Sequence, residues 1–177
     1  MTVLLDNKGK RKVGDALRKS IDADARLSVM SGLFSVYGYA ALQKQFSKID
    51  TLRLLIPSNN DGLALSDDKQ PLKLTGITGD EGDRRFRNSL NLTQVARECA
   101  QWLNQKAEIK SVSSPIPQNL FHIHNSNGNS VAIHGSSPFT SSGLGFTPSR
   151  GYDMNTLFTT PSETESLLEW FFNANQN

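Results

Sequence analysis

The chain has 177 residues, 37% of them hydrophobic and 20% charged, with one cysteine and a formal net charge of +2. That length suits a single domain over residues 1–177, able to bury ~70% of its unfolded surface. A lone cysteine excludes a disulfide framework and points to the cytoplasm. The absence of any run of about 18 apolar residues excludes a membrane-spanning helix, and +2 is too small a charge to argue nucleic-acid binding by itself. The opening MTVLLDNKGKRK has no long apolar stretch after its charges, so it does not read as a secretory signal. Its cations Lys8, Lys10, Arg11 and Lys12 read as a solvated cluster.

Val13, Leu17 and Ile21 recur at four-residue spacing and predict an amphipathic helix over 10–21. Leu27, Val29 and Met30 mark a buried strand ending at Gly32. Ser35 is a good N-cap for a helix over Val36–Phe46, and Thr51–Pro57 is a strand stopped by its proline. This β-α-β order predicts a parallel pair with a right-handed crossover. Residues 58–80 are rich in Asn, Asp and Gly and read as a long surface loop with one short strand, Leu72 to Leu74.

The stripe Leu92, Val95, Ala96, Cys99, Trp102, Leu103 predicts a long helix, with Cys99 an inert core thiol and Trp102 a core aromatic. Glu108–Val112 is the next strand. Leu120–His124 and Val131–Ile133 form a hairpin around Asn127-Gly128, read as a turn with φ > 0 at both central residues. A Ser/Gly/Pro-rich loop covers 136–151, a last strand covers 152–158, and a final helix starts at Pro161. Leu167, Leu168, Trp170 and Phe171 supply that helix's apolar face. The expected architecture is α/β, a mixed and largely parallel sheet of about six or seven strands with helices on both faces.

The second hairpin strand runs into Gly135-Ser136-Ser137, which exposes hydroxyls and backbone N–H groups suited to an anion. The segment VAIHGSSPFTSSGLG resembles the G-S-S-N-F-T-x-x-G-L-G segment of phospholipase D-like domains, above all those at the N-terminus of bacterial helicase and restriction-associated proteins. The stretch SGLFSVYGYAAL and the arginine run before the long helix are also similar to that group. The resemblance implies a strand carrying H-x-K before the hairpin, with the His as nucleophile forming a phospho-enzyme. The Lys and the Asn of G-S-x-N would hold phosphate oxygens, and two half-sites would meet across a dyad.

The chain departs from that pattern at its chemical centre. In one register Pro117 stands at the His, Asn119 at the Lys and His124 at the following Asp, while Pro138 replaces the Asn of G-S-x-N. Gly135, Ser136, Ser137, Phe139 and Thr140 stand as in the family. A second register puts His122 at the nucleophile and His124 at the Lys, but cuts the first strand short; the first register is preferred. Asp153 stands where the family has an acidic residue bonded to the catalytic His.

The expected pseudo-active site is therefore Asn119, Gly135, Ser136, Ser137 and Thr140, with His122, His124 and Asp153 as the alternative catalytic set. Arg84, Arg85 and Arg87 are candidate phosphate contacts, against a reading as a solvated helix face beside Asp80, Glu81 and Asp83. His122 and His124 share one strand face and could share a metal with His134 or Asp153. The preferred reading needs no metal and no cofactor.

Three functions follow. The first is a catalytically degenerate module that binds DNA, RNA or a partner protein, dimerises, and belongs to a larger chain with a helicase or ATPase region. The second is an active phosphodiesterase or nuclease using His122. The third is a structural oligomerisation domain.

Overall fold

A computed structural model describes residues 2–58, 92–149 and 151–176. The elements are β1 (Thr2–Leu5), α1 (Val13–Ser20), β2 (Arg26–Met30), α2 (Val36–Phe46) and β3 (Thr51–Pro57). They continue with α3 (Leu92–Lys106), β4 (Ala107–Val112), β5 (Asn119–His124), β6 (Ser130–Gly135), β7 (Asn155–Phe158) and α4 (Pro161–Ala174). The seven strands form one mixed sheet in the order β1-β7-β6-β5-β2-β3-β4. Among the described residues no helix is long and apolar enough to cross a membrane.

The alternation of side chains along each strand decides what each face buries. Leu27 and Val29 of β2, Leu52, Leu54 and Ile56 of β3, Phe121 and Ile123 of β5, and Ile133 of β6 point to one side. There they meet Val13 and Leu17 of α1, Tyr39, Leu42 and Phe46 of α2, and Cys99 and Trp102 of α3. Burial pushes the Cys99 thiol up to about 12. The residues one step out of phase, Met30, Leu55, Leu120 and Ala132, meet Phe171 of α4 on the opposite face. Ser35 caps α2, its Oγ accepting from Tyr37 N at 3.1 Å and Gly38 N at 3.4 Å.

Four expectations need correction. Only β2–β3 and β3–β4 pair in parallel, while β2–β5, β5–β6, β6–β7 and β1–β7 are antiparallel. In both parallel pairs a helix lies between the paired strands in sequence; of the antiparallel pairs only β5–β6 is a hairpin, and β2–β5 and β1–β7 join strands distant in sequence. β1 was not foreseen, because it is a four-residue edge strand with three exposed positions. The hairpin turn is not a two-residue one. Pairing ends at His124 opposite Ser130, leaving Asn125–Asn129, in which Gly128 takes φ +88° and Asn127 is not left-handed. The buried Asn125 fixes this loop by accepting from Asp22 N and donating to Ser20 O, contacts that no local pattern encodes. Finally, Trp170 is 49% exposed rather than core. The buried side of α4 runs through Thr164 and Phe171, which puts Trp170 at its margin.

The predicted strand Leu72 to Leu74 lies outside the described residues, as do Arg84, Arg85 and Arg87.

Candidate functional site

The start of β5 and the end of β6 lie side by side, with Asn119 opposite Gly135. The chain leaving β6 then passes between the end of β2 and the start of α2. Phe139 N donates to Ser31 Oγ at 2.8 Å and Ser35 N donates to Phe139 O at 2.9 Å. Gly135 is required where β7 approaches: a Cβ there would sit 2.3 Å from Met154 O.

Every hydroxyl of this corner has a partner in the protein. Ser136 is exposed, and its Oγ accepts from Met154 N at 3.0 Å. Ser137 is fully buried; its Oγ accepts from Asn155 Nδ2 at 2.8 Å and Asn7 Nδ2 at 3.1 Å, and its N–H donates to Asn155 Oδ1 at 3.0 Å. Thr140 is fully buried and its Oγ1 accepts from Gly143 N at 3.0 Å. Asn119 has both ends of its amide engaged. Its Oδ1 accepts from Gly32 N at 2.8 Å, and its Nδ2 donates to Ser136 O at 3.1 Å and Gly135 O at 3.4 Å. These groups clamp three chain segments together. An amide with both ends engaged has little left to offer a ligand.

The imidazoles lie elsewhere. His122 is opposite Ala132 and His124 opposite Ser130, progressively further along β5 from the corner. His122 is buried beneath α4. Burial, and after it the neighbouring His124, hold its pKa down at about 4 against the opposing pull of a hydrogen bond to the Thr164 backbone. It is neutral at pH 7. His124 Nδ1 bonds Ser130 Oγ at 2.9 Å. His134, opposite Leu120 and Thr156, lines a hollow of about 500 Å³ that Pro117 also lines. Asp153 does not reach an imidazole; its Oδ2 accepts from Asn7 Nδ2 at 2.8 Å. Among the described residues no group of three or more His, Cys, Asp or Glu could hold a metal.

Two residues central to this network were not read from the sequence. Asn7, at φ +60°, also donates to Gly143 O at 2.9 Å, and its Oδ1 accepts from Val13 N at 3.0 Å, capping α1 from outside the helix. Its signal was the turn-like run Asn7-Lys8-Gly9. Asn155 joins Ser137 to Leu5 O across β7, and nothing local marks it.

The sheet order, the corner and its neighbours can be set beside known proteins. No family model and no curated protein matches the chain. Solved structures that match it along nearly their whole length include two bacterial proteins. Nuc from Salmonella typhimurium, a phospholipase D family member, has a TM-score of 0.55 at 14% identity, covering 99% of this chain and 94% of its own. NucT from Helicobacter pylori has a TM-score of 0.51 at 8% identity, covering 99% and 96%. The fold is that of the phospholipase D family. At such identities the likeness carries the architecture, and the chemistry must be argued from the residues present. On this phospholipase D-type frame, the described corner carries hydroxyls and amides but no imidazole and no cation.

Proposed function

We propose that this chain is a catalytically degenerate phospholipase D-type module, cytoplasmic and assembled as a two-fold homodimer, that binds nucleic acid or a partner protein. A helicase or ATPase region of the same longer chain fits that description. The observation that carries the reading is the state of Asn119. Where the resemblance calls for a phosphate-holding lysine stands a buried amide whose oxygen and nitrogen are both spent on backbone. At the nucleophile's place stands Pro117, which has no ionisable atom. His122, the alternative nucleophile, is 2% exposed and so has no path to a phosphodiester. The corner keeps its glycine and hydroxyls because they close the fold.

Turnover of fluorogenic DNA, RNA and bis-p-nitrophenyl phosphate, with and without divalent metal, tests this directly. No hydrolysis above background is expected. Turnover abolished by His122→Ala would establish the enzyme instead. Light scattering at high micromolar concentration should give a dimer. A monomer that binds neither nucleic acid nor protein would defeat the binding reading.

A further inference from the structure

The corner is closed, but a polar cleft beside it is not. Between the β1–α1 connection and the segment following the corner lies a hollow of about 320 Å³ whose lining includes Asp6, Asn7, Lys8, Lys12, Thr147 and Asp153. The two carboxylates differ: Asp6 is neutralised in an ion pair, whereas Asp153 keeps its charge and accepts from a neutral amide. Asp6 Oδ2 accepts from Arg11 at 2.5 Å, and Asp153 Oδ2 accepts from Asn7. The ammonium groups are in a different state. Among the described residues the ion pairs are Arg11–Asp6, Arg18–Asp15 and Lys110–Glu108, so within that set neither Lys8 nor Lys12 has a carboxylate partner. The Lys12 stem packs close to Gly145, where an added Cβ would lie 3.1 Å from Lys12 Cγ, and this directs the residue along the cleft wall.

At the cleft's edge stands Tyr152, 93% exposed, followed by Met154 at 69%. Lys8 Nζ lies 5.1 Å from the Tyr152 ring centroid. One face of the ring thus carries a cation, and nothing in the packing of the core accounts for so exposed an aromatic. The two ammonium groups outnumber the one carboxylate that no cation neutralises, and such an excess of positive charge in a concave polar wall attracts phosphate oxygens. An exposed aromatic ring beside it offers a base a stacking surface. Together these are the two components by which proteins hold single strands without reading sequence. A duplex keeps its base faces inside its own stack and cannot use the ring.

We propose that this cleft binds single-stranded nucleic acid, with Lys8 and Lys12 on neighbouring phosphates and a base stacked on Tyr152. The proposal rests on the nucleic-acid half of the function proposed above and gives it a site.

The test uses the full chain and a fluorescein-labelled oligothymidylate, followed by anisotropy across a salt series. Lys8→Ala/Lys12→Ala weakens binding by about tenfold or more at low salt. It also flattens the slope of log K against log salt by about 1.4, the value for two lost contacts to a single strand. Tyr152→Ala weakens binding by roughly tenfold and leaves the slope unchanged. Lys19→Ala/Lys48→Ala, which removes two exposed lysines elsewhere, is the charge-matched control and changes binding by less than about twofold. A duplex of the same length binds more weakly. Wild-type binding that survives Lys8→Ala/Lys12→Ala overturns this site and leaves the nucleic-acid reading standing. No binding of the oligothymidylate by the wild type overturns the single-strand site, and no binding of the duplex either overturns the nucleic-acid reading as well. Indifference to Tyr152→Ala, or displacement by inorganic phosphate beyond an ionic-strength-matched chloride control, overturns the single-strand assignment in favour of a simple anion site.

Discussion

The two faces of the sheet are packed in different ways. The face under α1, α2 and α3 is a continuous aromatic stack. Phe34 lies on Phe139 with centroids 4.7 Å apart, Phe46 on Trp102 at 4.9 Å, and Phe46 on Phe139 at 5.7 Å. Even the indole N–H is satisfied, donating to Phe46 O at 2.9 Å. Among the described residues the other face is covered by one helix. It buries Phe171 against Met30, Leu55, Leu120 and Ala132, encloses a neutral imidazole, and leaves the 500 Å³ hollow beside Trp170. The same strands serve both faces, so strand propensity cannot be the cause. Among the described residues what differs is the covering: three helices and the corner loop on one side, a single 14-residue helix on the other. This packing predicts that stability is concentrated on the first face and sensitivity to pH on the second.

The largest expected effect tests the first face. Phe139→Ala removes the ring that Phe34, Phe46 and Gly38 all pack against, and should cost about 4 kcal/mol in urea unfolding. A cost under about 1 kcal/mol would mean the stack does not carry the stability assigned to it.

The second effect belongs to the opposite face and to acid. His122 has a folded pKa of about 4, below its ordinary 6.5, so between those values the unfolded chain takes up a proton that the native state refuses. Its contribution is complete above pH ~6.5 and is lost progressively as pH falls towards 4, to the order of 2–3 kcal/mol. Urea midpoints measured from pH 7 down to 4.5 should therefore fall, and the fall should be smaller in His122→Gln. An identical pH profile in that variant would remove His122 as the cause.

Between the faces, at the head of β5, Asn119→Ala should cost roughly 2 kcal/mol, because it strands the buried partners that the amide now satisfies. A neutral outcome in thermal unfolding would show that water replaces the clamp. The smallest effect is expected at Trp170→Ala, within about 0.5 kcal/mol, since half of the indole is already in solvent. A loss near that of Phe139→Ala would erase the contrast between the faces.

The elements that could be read in advance are those with a strong internal period. α1, α2 and α3 announce themselves through apolar stripes and, for α2, through the cap at Ser35. β2, β3 and the β5–β6 pair announce themselves as apolar runs bounded by Gly, Pro or Asn-Gly. The opposition of Asn119 and Gly135 was within reach of the sequence, since the hairpin's length and alternation restrict its register. β1 was not, because an exposed edge strand of four residues carries no alternation to detect. Lys8 and Lys12 were visible only as charges, and the meeting of Lys8 with Tyr152 joins segments more than 140 residues apart in sequence.

The sequence by itself determined the apolar faces of these elements, the absence of an imidazole at Pro117 and Asn119, and the glycine and hydroxyls of the corner. These follow from residue identity and from spacing within one turn or one strand. Only the tertiary structure decided what the corner's polar groups do. Ser137, Thr140 and Asn119 could each have faced a ligand, and each instead completes a hydrogen bond within the fold. Two of the partners, Asn7 and Asn155, are far apart in the chain, one just after β1 and the other on β7, and those two strands pair with each other. A buried polar group must be satisfied by whatever the folded chain brings within reach. That partner is set by the order of strands in the sheet, which no local stretch of sequence contains.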